Sequence, residues 1–202
     1  MPGRDVLPIV ACGDPALRQP AEPIDTAVLR SRELRRLIVR MRATMEDAPG
    51  VGLAAPQIGE PIQLAVLQDG PERWGDVPAA DLELRGRTEL PFTVLVNPVL
   101  VPAPDGTAAF YEGCLSVPGL AGVVARHRAV RVDALDEHGE PQSLTLEGWP
   151  ARIAQHEFDH LHGVLYLDRV LTRSLSTVDN YLERWARQPT AAAAAALGFP
   201  AV

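Results

Sequence analysis

The stretch Gln155-His156-Glu157-Phe158-Asp159-His160 decides how the rest of the chain is read. Pro150 suits the first turn of a helix and Gly163 suits its end, so the spacing predicts a helix from about Pro150 to Leu161. Residues four apart share one helix face, so His156 and His160 can both reach one ion at about 2.1 Å. Glu157 projects at a different angle, beside a water held there. Two histidines at this spacing around a glutamate form a metal-hydrolase pattern. His162 is out of phase with the pair and reads as a surface residue.

Two imidazoles are too few to hold an ion, and no third histidine follows at metzincin spacing. Upstream, Cys114 lies in Glu112-Gly113-Cys114-Leu115-Ser116, among polar and glycine neighbours that suit a packing thiol poorly. A thiolate there completes a Cys-His-His set with a fourth position open for water. The other cysteine, Cys12, reads as an incidental small apolar residue, and two cysteines make no disulfide framework.

Further out, Leu34, Leu37, Ile38, Met41 and Met45 recur at helical spacing, which predicts an amphipathic helix within Thr26 to Asp47, ended by Pro49-Gly50. Gly50 to Gly59 is too glycine-rich for a regular element and too apolar for a solvated linker, so it is read as a buried, shaped loop. Strands are expected at Ile62 to Leu67 and at Phe92 to Val96, the second closed by Asn97-Pro98. Between them, Gln68 to Pro91 reads as a surface loop of the length seen in lids and insertions. Alternation from Val130 to Leu135 and at Leu144 and Leu146 predicts a hairpin, and a last helix is expected over Ser176 to Arg187. The Ala191 to Ala196 run has high helix propensity but no apolar stripe, so it is read as a fraying tail or an extension of that helix. The division expected is one domain over 1–188 and an Ala-rich tail over 189–202.

At 202 residues, 47% apolar and 22% charged, the chain has the composition of a globular protein. No apolar run approaches a membrane span, and no basic-then-apolar leader opens it. The net charge of −7, carried against Arg alone with no Lys, argues against bulk phosphate-backbone binding and specific DNA recognition. A cytoplasmic enzyme is the expectation.

Gly50-Val51-Gly52-Leu53-Ala54-Ala55-Pro56-Gln57, Glu112 to Ser116 and Gln155 to His160 resemble, in order, the three signature motifs of peptide deformylases. Pro8 to Arg18 and Gly163 to Arg169 resemble the flanking segments. The resemblance implies an α+β fold in which antiparallel sheets surround a central metal-binding helix carrying HEFDH, with helices at the N- and C-terminal ends. It implies hydrolysis of the N-formyl group of N-formylmethionyl nascent chains, with release of formate. Cys114, His156 and His160 are then the ligands of one divalent ion, Fe(II) by the resemblance, with Zn(II), Ni(II) or Co(II) as other occupants; spacing alone suits Zn(II) equally well. Glu157 becomes the general base and acid, while the Gln57 side-chain amide and the Leu115 backbone N–H face the oxyanion. Gly52 and Gly113 fall at substrate-binding positions. Asp159 lies off the ligand face and is expected to pair with Arg126. Many relatives carry an Arg where this chain has Ala121.

The helix face of His156 also presents Ile153 and Trp149, three and seven residues upstream. With Val51 and Phe110 they are expected to wall an apolar pocket for a methionine side chain. A transient contact with the ribosome, where such chains emerge, is expected as well. Two rivals stand beside this reading: a zinc endopeptidase using the same His pair, and a binding module that keeps the metal for structure. Formate release against internal peptide cleavage separates them.

Overall fold

The computed structural model describes residues 5–75 and 77–200. Helix α1 (Arg32–Asp47) leads to β1 (Gly52–Ala54), β2 (Leu64–Asp69), the short helices α2 (Pro71–Trp74) and α3 (Ala79–Arg85), then β3 (Leu90–Pro102), β4 (Thr107–Cys114), β5 (Val117–His127), β6 (Ala129–Leu135) and β7 (Pro141–Glu147). Helix α4 (Gly148–Leu161) follows. The chain closes with β8 (Ser176–Thr177), the single turn α5 (Val178–Asn180) running into a π-helical turn (Tyr181–Trp185), and α6 (Thr190–Leu197).

Two antiparallel sheets result, one of five strands in the order β1-β2-β3-β6-β7 and one of three in the order β4-β5-β8. The larger sheet is covered on both faces around β1 and β2, whose residues are buried on both. Along β2, Leu64 and Val66 point to the α1 side, where they meet Leu34, Ile38, Met41 and Met45. Ala65 and Leu67, alternating with them, point to the opposite side and meet Ala151, Ile153, Ala154 and Leu161 of α4. The small alanines on that side let α4 lie close to the sheet. Helix α1 starts where the Ser31 hydroxyl accepts from the Leu34 N–H at 3.1 Å.

Several details depart from the sequence expectations. Asn97-Pro98 does not close a strand: β3 continues to Pro102, pairing first with β2 and then with β6 across a register shift between Val96 and Val99. Proline is tolerated at such a bulge, and Asn97 adopts φ 50 with its amide clamping the Ile24 backbone, Nδ2 donating to Ile24 O and Oδ1 accepting from Ile24 N–H, both at 2.8 Å. The 68–91 segment carries α2 and α3 rather than running as a plain surface loop. Ser176 and Thr177 pair as a strand with Ala121 and Leu120 before the last helical turns begin. The Ala-rich run neither frays nor extends the preceding helix. Pro189 separates it, and α6 folds back to bury Ala193 and Ala194 against Ala109, Tyr111, Ala121 and Val123. Methyl groups need no stripe to pack against small strand residues. Among the described residues no helix is long and apolar enough to cross a membrane.

Replacing Asn97 by Ala removes both hydrogen bonds of the clamp and leaves a side chain that disfavours positive φ. Urea unfolding should register a loss of about 2 kcal/mol, with the m-value unchanged. A loss under about 0.5 kcal/mol would show that the bulge holds without the clamp.

Candidate metal centre

Helix α4 places His156 and His160 one turn apart, with ring centroids 5.0 Å from one another. The last residue of β4, Cys114, brings its Sγ to 3.3 Å from His160 Nε2. One donor atom from each of these three residues lies within 4.8 Å of the others, which is the compact S,N,N set a divalent ion requires. The sequence expected these three together; Cys114 comes from the three-stranded sheet and the histidines from α4, which packs on the five-stranded one. His162 is exposed, its ring nitrogen against Phe158 O at 2.8 Å, and stands outside the set.

The orientation of His156 is set by Glu112, two residues before Cys114 and on the same face of β4. Glu112 Oε2 lies 3.0 Å from His156 Nδ1. Burial alone would raise the Glu112 carboxyl, but the Arg126 guanidinium and the hydrogen bonds from His156 and Arg126 hold it far below the usual carboxylate range. An ionised carboxylate can only accept, so Nδ1 carries a proton and Nε2 is the nitrogen available to ligate an ion. Arg126 forks onto both Glu112 oxygens at 2.9 Å and reaches Asp159 Oδ2 at 2.5 Å through Nη1. Arg169 closes the other side of Asp159 with two bonds of 2.8 Å. Asp159 therefore pairs with Arg126, away from the donor set. The sequence reading passed over Glu112 as a motif flank and missed Arg152, which sits one helical turn before His156. Arg152 Nη1 donates to Glu112 Oε1 at 2.6 Å and to Val124 O at 2.9 Å. An arginine four residues before His156, on the helix face that carries it, was the available signal.

Glu157 is buried, and burial pushes its carboxyl up to about 7, against the opposing charges of His156 and Arg126. Its Oε2 has no protein partner among the described residues. The group lies flat on the β1 backbone: a Cβ on Gly52 would come within 2.3 Å of Glu157 Oε1, so only glycine fits. Gln57 follows β1 in a 3₁₀ turn (Ala55–Ile58) and is equally fixed. Its Oε1 accepts from the Ala54 N–H at 2.8 Å, which turns Nε2 toward Ser116 Oγ at 3.2 Å and Cys114 Sγ at 3.6 Å.

These groups open into a cavity of about 600 Å³. Val51, Gly52 and Gln57 line one side, Gly113, Cys114 and Leu115 another, and Trp149, Ile153, His156 and Glu157 the floor. Phe110 does not reach it. It lies about 13 Å along β4 from Cys114 at strand rise, behind Trp149, whose ring centroid is 6.3 Å away, and beside the Arg152 guanidinium. Tyr111 lines the cavity instead, and Val178, Tyr181 and Leu182 complete its wall, none of them anticipated from sequence. Ala121 is buried, opposite Gly113 on β5, so no cation stands there.

The donor chemistry fits a divalent metal: a thiol, one imidazole fixed by a carboxylate, a second imidazole alongside, and a buried carboxylate with an oxygen to spare.

The family model for polypeptide deformylase matches residues 6–175. Peptide deformylase 1 of Streptomyces coelicolor is 52% identical over 193 residues, covering 96% of this chain and 86% of that protein. Peptide deformylase 1A of Arabidopsis thaliana, chloroplastic/mitochondrial, is 42% identical over 176 residues, with 87% and 65% covered. Among solved structures, a Met-Ala-Ser-bound class I type b peptide deformylase from Acinetobacter baumannii superposes with a TM-score of 0.72 at 36% identity, covering 82% of this chain and 98% of that one. The Synechococcus elongatus enzyme in complex with actinonin gives 0.69 at 38% identity, covering 84% and 83%.

Replacing Arg126 by Met removes the guanidinium shared by two buried carboxylates, leaving Glu112 to Arg152 and Asp159 to Arg169. Denaturant titration of the metal-free protein should show a loss of roughly 3–5 kcal/mol. A variant within about 1 kcal/mol of the parent would mean that Arg152 and Arg169 suffice to neutralise the pair.

Proposed function

The chain belongs to the polypeptide deformylase family, and on that premise we propose that it hydrolyses the N-formyl group of N-formylmethionyl polypeptides, releasing formate and a free amino terminus. One observation carries the reading: Cys114, His156 and His160 converge within 4.8 Å in a cleft where the buried carboxylate of Glu157 lies against Gly52. The three converging residues are the proposed ligands of one divalent ion per chain, and Fe(II) is the proposed resident. Bound there, the ion supplies Lewis acidity, which makes a water acidic enough to act as nucleophile near neutral pH.

The chain's own groups do the rest. Glu157 takes the proton of the attacking water on its carboxylate and gives it to the departing amine. A carboxyl raised toward neutrality by burial suits a group that must both accept and donate. Gln57 Nε2, oriented through the Ala54 contact, and the Leu115 backbone N–H donate to the oxygen of the formyl group as negative charge develops on it. Glu112 keeps His156 in the tautomer that ligation needs. Gly52 and Gly113 offer backbone to the peptide, while Val51, Trp149 and Ile153 give the first side chain an apolar wall. The Acinetobacter baumannii relative was solved with Met-Ala-Ser bound, a peptide that begins with methionine as the proposed product does. The proposed place of action is the cytoplasm, on chains emerging from the ribosome.

Formate release from formyl-Met-Ala-Ser is the direct test, and cleavage of internal peptide bonds without formate would overturn the reading. Changing Glu157 to Ala should leave metal content at one ion per chain and lower kcat by roughly 10²–10⁴-fold. Metal lost in proportion to activity would make Glu157 structural. Protein purified anaerobically should hold iron and lose activity in air, with nickel restoring it; equal activity of an aerobic, zinc-only preparation would refute the iron assignment.

A further inference from the structure

The 68–91 segment is pinned in a way that a mobile surface loop is not. Asp69, fully buried, receives Arg87 in a bidentate pair at 2.7 and 2.9 Å and the Trp74 indole N–H at 3.1 Å, so both ends of the segment close on one carboxylate. At its far end α3 stops at Gly86, which has φ +56 and lies against Gly148, the first residue of α4. A Cβ on Gly148 would come within 2.3 Å of Gly86 O, and the Trp149 N–H donates to that oxygen at 3.1 Å. Two glycines in left-handed conformation thus bring the end of α3 into backbone contact with the metal-binding helix.

The consequence is the position of Arg85. Its guanidinium stands 5.4 Å from the Trp149 ring centroid, and Nη2 donates to Ala186 O at 3.2 Å beyond the π-helical turn, so two separate parts of the chain hold it at the cavity wall. The other arginine lining the cavity, Arg152, is occupied by Glu112 and by two backbone carbonyls. Arg85 spends one of its five N–H donors on Ala186, and among the described residues it makes no ion pair. The remainder of the wall there is apolar or aromatic, with Tyr181 and Leu182 beside it.

Trp149, which walls the pocket of the first side chain, stands about 10 Å from His156 along the helix axis, so a guanidinium 5.4 Å from its ring borders that pocket and lies within reach of side chains one or two residues further on. We propose that Arg85 is a specificity-determining residue of the cleft, which selects substrates with an acidic side chain at the second or third position after the formyl group. The inference rests on the deformylase reading. A partly exposed arginine contributes a modest, screenable attraction to a carboxylate, so the preference is graded rather than absolute.

The experiment compares C-terminally amidated peptides, formyl-Met-Xaa-Ala and formyl-Met-Ala-Xaa, with Asp, Asn or Lys at Xaa, and reads formate release. The Asp-to-Lys ratio of kcat/KM is taken within each protein, so that a general loss of rate cancels. The parent should favour Asp over Lys by about three- to tenfold in at least one series at low salt, shrinking toward unity at 0.5 M NaCl. Arg85→Gln, which keeps a donor for Ala186 O, should bring the ratio to about one, and Arg85→Glu should invert it. A ratio of one in the parent in both series, or a ratio retained in Arg85→Gln, would overturn the proposal while leaving deformylation standing. Absence of formate from every peptide would sink the deformylase reading and this inference with it.

Discussion

The buried carboxylate of Glu112 organises the site. It accepts from two guanidiniums and an imidazole, and each of those donors belongs to an element that must be held in register: Arg126 on β5, Arg152 and His156 on α4. A lone carboxylate at this depth would be protonated or expelled, so the arginines are the condition for its presence. Once ionised it cannot donate, and this fixes the proton on His156 Nδ1. The same contacts join the three-stranded sheet, through β4 and β5, to the helix that lies on the five-stranded sheet. One anion thereby ties the two halves of the fold together and aligns the imidazole at their junction.

Around this network, glycines set the distances. Gly52 lets the Glu157 carboxylate rest on β1 backbone, a separation that any side chain would forbid. Gly148 and Gly86 do the same for α3 and α4. Small side chains act in parallel on the core side, where Ala54, Ala65, Ala151 and Ala154 bring α4 close to the sheet. The cleft is therefore assembled from rigid elements held at backbone distance, which suits chemistry that needs a donor, a base and a ligand set held in fixed relation.

The cleft is also divided by polarity. At one end stand thiol, imidazoles, carboxylate and amide, with His156 oriented by Glu112 and Gln57 by the Ala54 N–H. Toward the other end Val51, Ile153, Trp149, Tyr181 and Leu182 present an apolar wall interrupted by the guanidinium of Arg85. Such a division lets the polar end act on the reacting group while the apolar end holds the chain attached to it.

The amino-acid sequence by itself determined several of the elements and pointed to the candidate donors. The α1 stripe, the β6–β7 hairpin, the span of α4 and the His156–His160 pair follow from local periodicity, turn residues and ligand spacing, all of which act over a few residues. It could not rank Phe110 against Tyr111 as a cavity residue, because that depends on how far along β4 the cleft extends and on where Trp149 stands. Nor could it show that Asn97-Pro98 lies within a strand, since the Ile24 backbone that the asparagine clamps is 73 residues away. The roles of Arg152, Arg85 and the Ala-rich helix were likewise decided by tertiary structure. A guanidinium's partner, or a methyl group's burial, depends on which distant backbone arrives beside it, and the chain's local chemistry does not specify that arrival.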